Sequence, residues 1–164
     1  MNSQSALKEP GTRVPAWSFR SLRALAVLLV ICFAAAAIGG AVTTPKIDGW
    51  YAALVKPSFN PPDWIFGPVW TVLYAMMAFA AWRVWRTDPA IVANRRAMLL
   101  FLLQLVFNLG WSVAFFGMEN PLAGLVVIVL LEILIVATIL AFGRHDKAAA
   151  LLLVPYAAWV GFAM

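Results

Sequence analysis

Five apolar runs of about twenty residues, set apart by short polar or basic segments, leave this chain little choice of fold. At about 1.5 Å per helical residue, each run matches the roughly 30 Å hydrocarbon core of a bilayer. The chain therefore reads as an all-α integral membrane protein, a five-transmembrane-helix bundle. Composition supports this, because 64% apolar against 12% charged residues exceeds what a soluble domain of 164 residues could bury.

Residues 1–21 are polar, contain Pro10, Gly11 and Pro15, and lack a sustained helical period. They read as a flexible tail ahead of a single transmembrane domain over 22–164. The spans fall at about 24–42, 64–82, 97–118, 121–143 and 148–164. The first, Ala24 to Val42, follows Arg20 and Arg23 and is long enough to span, which favours a membrane helix over a cleaved leader. Its small residues, Ala34 to Ala37 with Gly39 and Gly40, invite close approach of another helix. Residues 43–63 hold Pro57, Pro61 and Pro62 and are expected to form an ordered, proline-stiffened loop.

Of the twelve Lys and Arg, all but Lys46 and Lys56 lie in the tail and in the loops after spans two and four. The positive-inside rule then puts the N-terminal tail on the cytoplasmic side and the proline-rich loop on the opposite face. No basic stripe on a soluble module is present, so nucleic acid is not an expected partner and membrane lipid is. The lone Cys32 within a span and the lone His145 in a loop supply neither a disulfide framework nor a metal cluster.

Several side chains are out of place against lipid. Gln104, Asn108 and Trp111 follow i, i+4, i+7 on the third span, Trp70 and Tyr74 stand one turn apart on the second, and Tyr156, Trp159 and Ala163 share a face of the fifth. Amides facing lipid are costly, so these faces should turn inward, either as interhelical contacts or as a ligand site. Trp17, Trp50, Trp64, Trp82 and Trp85 fit an interfacial aromatic belt. Glu132, midway along the fourth span with no basic residue at its depth, is expected to be a neutral hydrogen-bond donor, either in a helix contact or in proton coupling. There is no paired-carboxylate site, nucleophile–base motif or phosphate loop, so no catalytic residue is assigned and no cofactor is required.

The run WYAALVKPSFNPPDWIFGPVWTVLY, Trp50 to Tyr74, resembles the signature of the TspO/MBR family of tryptophan-rich sensory and translocator proteins. QLVFNLGWSVAFFG from Gln104 and VPYAAWVGFA from Val154 resemble that family's third- and fifth-helix motifs. The resemblance implies a five-helix homodimer whose pocket, roofed by the first interhelical loop, takes tetrapyrroles such as protoporphyrin IX and haem, sterols, and benzodiazepine-type drugs. Matched by position, Trp70, Tyr74, Asn108, Trp111, Trp159 and Ala163 would line it, with Gln104 on the same face and Tyr51 and Trp64 reaching in from the loop. Phe59 stands where many relatives have Trp, and the family pattern commonly continues beyond Ala163, so sterol recognition through that region is not expected here. Sensing or translocation is the leading reading. Slow light- and oxygen-dependent porphyrin breakdown at pocket Trp residues, or a proton-coupled carrier using Glu132, are the alternatives.

Overall fold

The computed structural model describes residues 13–56, 60–87 and 94–164. Helix α1 spans Phe19–Lys46 and continues through a π-turn, Ile47–Tyr51. A short 3₁₀ turn, Asp63–Ile65, leads into α2, Phe66–Trp85. Helix α3, Arg95–Ser112, ends in a second π-turn, Val113–Gly117, and is followed by α4, Pro121–Gly143, and α5, Lys147–Phe162. Among the described residues there is no strand.

Helix starts follow local chemistry. Ser18 Oγ accepts from Ser21 N–H at 3.2 Å, Asn120 Oδ1 from Ala123 N–H at 3.0 Å, and Asp146 Oδ1 from Ala149 N–H at 3.1 Å. Each cap satisfies an amide that the first turn would leave unbonded. Pro121 sits in the first turn of α4, where its missing N–H costs nothing. Four helical stretches, Phe19–Tyr51, Asp63–Trp85, Arg95–Gly117 and Pro121–Gly143, are long and apolar enough to cross a membrane. The fifth, α5, is apolar but has 16 residues, about 24 Å of helix.

Each helix packs mainly on two others, so the five close a ring in the order α1, α2, α5, α4, α3 and back to α1. Small side chains allow this. Ala78, Ala80 and Ala81 on α2 are fully buried, and a Cβ on Gly39 of α1 would sit 3.2 Å from Ser112 Oγ on α3. Phe101 of α3 stacks on Phe142 of α4 with centroids 6.0 Å apart. Outward faces carry Val30, Val106, Leu122, Ile133 and Leu151, all exposed and suited to lipid. Gly110 of α3 faces Val127 of α4, and Ala114 is buried.

Two boundaries differ from the sequence reading. The segment 43–63, expected as loop, is helical through Tyr51, with Pro45 inside the last turn of α1. A proline there forfeits one amide bond close to the helix end, where the π-turn already changes the pairing: Ala52 N–H bonds Ile47 O at 3.1 Å. Lys46 Nζ also pins this end to Glu119 Oε1 at 2.8 Å. Pro57 and Phe59 lie outside the described residues, as do residues 1–12 of the tail.

The second difference is that residues 13–18 are docked rather than free. Val14 is buried, its N–H donates to Arg86 O at 3.0 Å, and Arg86 Nε returns a bond to Val14 O at 3.0 Å. Beside them Asp146 accepts from Arg83 Nη2 at 2.9 Å and from Arg13 Nη2 at 3.1 Å. Burial opposes ionisation of Asp146, but the Ala149 N–H and the Arg83 guanidinium outweigh it and hold the carboxyl below its ordinary value. A carboxyl lowered by folding contributes stability that is whole above about pH 4 and disappears as pH falls through its lower folded value. Asp146→Asn keeps a capping side chain and loses the charge, whereas Asp146→Ala loses both. Thermal unfolding in detergent at pH 7 should rank Ala as less stable than Asn by about 1 kcal/mol and Asn as less stable than the parent. Equal unfolding of all three would mean the clasp contributes nothing.

Candidate functional site

At the end of the bundle away from the arginine clasp, the ring of helices encloses a cavity of about 400 Å³. Its walls are mostly aromatic. Helix α2 contributes Phe66 and Trp70, one turn apart; α5 contributes Trp159 and Phe162; α3 and its π-turn contribute Trp111, Phe115 and Phe116. The π-turn of α1 closes the top with Ile47 and Tyr51, and Asn60 and Asp63 stand at the rim. Tyr51 Oη donates to Asn60 Oδ1 at 3.3 Å, tying the end of α1 to the approach to α2.

Ring contacts fix these walls. Trp111 and Phe115 stack with centroids 5.5 Å apart and planes 13° from parallel, and Trp50 meets Phe115 edge-on at 5.1 Å. Trp159 packs on Phe66 at 5.8 Å, and Trp70 on Tyr156 at 6.1 Å. Behind Phe115 lies Gly124, where a Cβ would fall 2.7 Å from the ring. Only a glycine on α4 leaves Phe115 its place. Offset and edge-to-face contacts of this kind add to burial and keep rings from collapsing into the open space.

Beneath the cavity sits a buried polar layer. Tyr74 Oη donates to Asn108 Oδ1 at 2.5 Å, and Asn108 Nδ2 donates to Tyr156 Oη at 2.9 Å, so one amide joins α2, α3 and α5. All three side chains are at most 5% exposed. Gln104, one turn further along α3, is equally buried; its Nε2 approaches Met77 Sδ at 3.7 Å while its Oε1 has no partner among the described residues. Glu132 is half-buried on α4, and its Oε2 is likewise buried and unpaired.

The residues singled out from sequence thus divide. Tyr51, Trp70, Trp111, Trp159 and Ala163 line the cavity. Tyr74, Gln104 and Asn108 lie in the layer below it and support its walls. Trp64 does neither: it is 74% exposed and outside the cavity wall, since the 3₁₀ turn directs Asp63 inward and leaves the indole at the surface. Trp17, at 86% exposed, also fits the belt, whereas Trp82 is engaged within the bundle and donates to Ser21 O at 3.0 Å. Phe66, Phe115 and Phe162 were not singled out, although each stands one turn from a cavity tryptophan. Phe116 sits in the π-turn at the end of α3, where α-helical spacing from Trp111 no longer applies.

The sequence profile of the TspO/MBR family matches residues 26–164. The chain belongs to this family. Among TspO/MBR relatives, "Tryptophan-rich protein TspO" of Chlorobaculum tepidum is 50% identical over 149 residues, covering 88% of this chain and 91% of the relative. "Tryptophan-rich sensory protein" of Cereibacter sphaeroides is 39% identical, covering 76% and 78%, and the human "Translocator protein" is 38% identical, covering 69% and 68%. The match to TspO/MBR proteins takes in every cavity-lining residue named above and makes this chain a multi-pass membrane protein of a family whose members carry sensory and translocator names.

The Tyr74–Asn108 bond can be weighed directly. Tyr74→Phe strands an amide oxygen and Asn108→Leu strands the phenols of Tyr74 and Tyr156, each change costing about 1–3 kcal/mol or more, whereas the double variant leaves neither partner of the Tyr74–Asn108 bond unmet and loses only the bond to Tyr156. Unfolding in detergent should therefore show the double variant less destabilised than the sum by about 1 kcal/mol. Strict additivity would mean the two side chains are not coupled.

Proposed function

We propose that this chain is a membrane receptor or translocator that holds a planar tetrapyrrole, protoporphyrin IX or haem, in the aromatic cavity. The observation that carries the reading is the set of three tryptophans, Trp70, Trp111 and Trp159, brought from three helices around one enclosed space. A flat conjugated macrocycle gains from burial and from offset stacking on such rings. The volume, about 400 Å³, lies within the range of small-molecule sites. Relatives named as sensory and translocator proteins support a role in detecting or moving a hydrophobic ligand.

Polar groups at the rim would orient that ligand. Asp63 is the charged residue of the cavity wall, and Lys56 lies 4.1 Å above the Tyr51 ring centroid, donating to Tyr51 O at 3.1 Å. A tetrapyrrole carrying carboxylates on one edge would turn that edge away from Asp63 and toward Lys56. The basic clasp then faces the cytoplasm by charge distribution, and the cavity opens near the other face.

Added protoporphyrin IX should quench tryptophan fluorescence of the parent protein in nanodiscs, and Trp70→Ala combined with Trp159→Ala should weaken binding by about tenfold or more. Unchanged affinity in that double variant would remove the cavity as the site. Asp63→Asn should tighten binding of the dicarboxylate by about twofold at low salt, the gain shrinking as salt screens the rim. A gain that persists at high salt would point to a cause other than charge.

A further inference from the structure

A second concavity, about 570 Å³ and almost wholly apolar, lies on the outside of the bundle between α2 and α5. Val69, Val72 and Met76 form one bank, and Pro155, Ala158 and Trp159 form the other. Val72 is 57% exposed, and Pro155 and Ala158 are exposed as well, so this groove faces the surrounding lipid. Trp159 belongs to both spaces: the same indole lines the outer groove and the inner cavity. At this point the bundle wall is one side chain thick.

The backbone beneath that side chain is also weakened. Pro155 lies within α5, one turn before Trp159, and takes away the amide that would have bonded Leu151 O. A helix with a missing rung can flex about that turn, and the side chain one turn beyond it moves with the flexing. Trp159 meets the rings of Phe66 at 5.8 Å and Phe162 at 5.9 Å and packs against the apolar core, with no hydrogen bond from its Nε1 among the described residues. A rotation of the indole therefore breaks dispersion contacts alone.

We infer that the α2–α5 groove is a bilayer-facing vestibule for the ligand, and that Trp159 is the gate between it and the cavity. The inference rests on the cavity being the ligand site. The ligand class is a flat, apolar ring system dissolved in the bilayer, which meets an apolar groove without leaving lipid and passes into the aromatic cavity when the indole swings aside. The rim at Asn60 and Asp63 is then the place where polar edge groups come to rest rather than the point of entry.

Filling the groove tests this without touching the cavity. Val72→Phe and Ala158→Phe put rings at lipid-exposed positions and add no indole. In vesicles whose phosphatidylcholine carries brominated acyl chains, the fluorescence difference between the parent and Trp159→Phe should be strongly quenched. In Ala158→Phe that quenching should drop by about half, because the new ring shields the indole from the chains. In nanodiscs with protoporphyrin IX, Val72→Phe with Ala158→Phe should slow association and dissociation by the same factor, about fivefold, with Kd unchanged. A blocked route alters both rates equally, whereas a damaged site alters affinity. Unslowed association in the filled variant, with its shielding established, would overturn the gate. Failure of the parent to bind protoporphyrin IX would overturn the tetrapyrrole reading, and a Trp159 insensitive to brominated chains would overturn the vestibule whatever the ligand.

Discussion

One amide, Asn108, accepts from a phenol on α2 and donates to a phenol on α5, and the geometry of the cavity hangs on that pair of bonds. In a membrane the helices have no hydrophobic drive toward one another, so a buried polar group that can be satisfied in only one arrangement selects that arrangement. The three tryptophans stand one turn from the three bonded residues: Trp70 before Tyr74, Trp111 after Asn108, Trp159 after Tyr156. Fixing the rotation and height of the polar layer therefore fixes where each indole arrives. The aromatic walls are set from below.

The two ends of the bundle are held by different physics. At the arginine end, a buried carboxylate caps α5 and gathers guanidinium groups from α2 and from the segment before α1, all through charge-assisted bonds. At the cavity end, the elements meet mainly through ring contacts, with the long Tyr51–Asn60 hydrogen bond and a lysine–glutamate pair, Lys46 with Glu119, between half-exposed side chains. Dispersion contacts are many and individually weak, so they permit rearrangement that a buried ion pair would resist. The division places stiffness at the clasp and give around the cavity.

Much of this was legible in the residues. Apolar run length gave five helices, and i, i+4 spacing placed Tyr74, Asn108 and Tyr156 on inward faces, because an unbonded amide or phenol in lipid is too costly to leave outside. The family likeness singled out Trp70, Trp111 and Trp159, and all three stand around the cavity. What escaped was conformational rather than compositional. Thr43 to Tyr51 reads as the start of a proline-stiffened loop, yet the helix persists through it by widening to a π-turn. Residues 13–18 read as tail because their docking to Arg86 is made partly by backbone groups, which no side-chain pattern reveals. Trp64 shared a motif with true wall residues, and only the 3₁₀ turn decides that it points outward.

The paired π-turns on α1 and α3 carry a consequence of their own. A π-turn amounts to one residue inserted into an α-helix, and at 3.6 residues per turn such an insertion rotates everything beyond it by about 100°. Both insertions sit at the cavity end, above the polar layer, so they turn Trp50, Tyr51, Phe115 and Phe116 without disturbing the register of Asn108 below. Chain length at these two places is thus an adjustable dial. Gain or loss of a single residue there would re-aim the aromatic roof while the spans beneath kept their packing, giving a lineage a way to change what it recognises without redesigning its membrane fold.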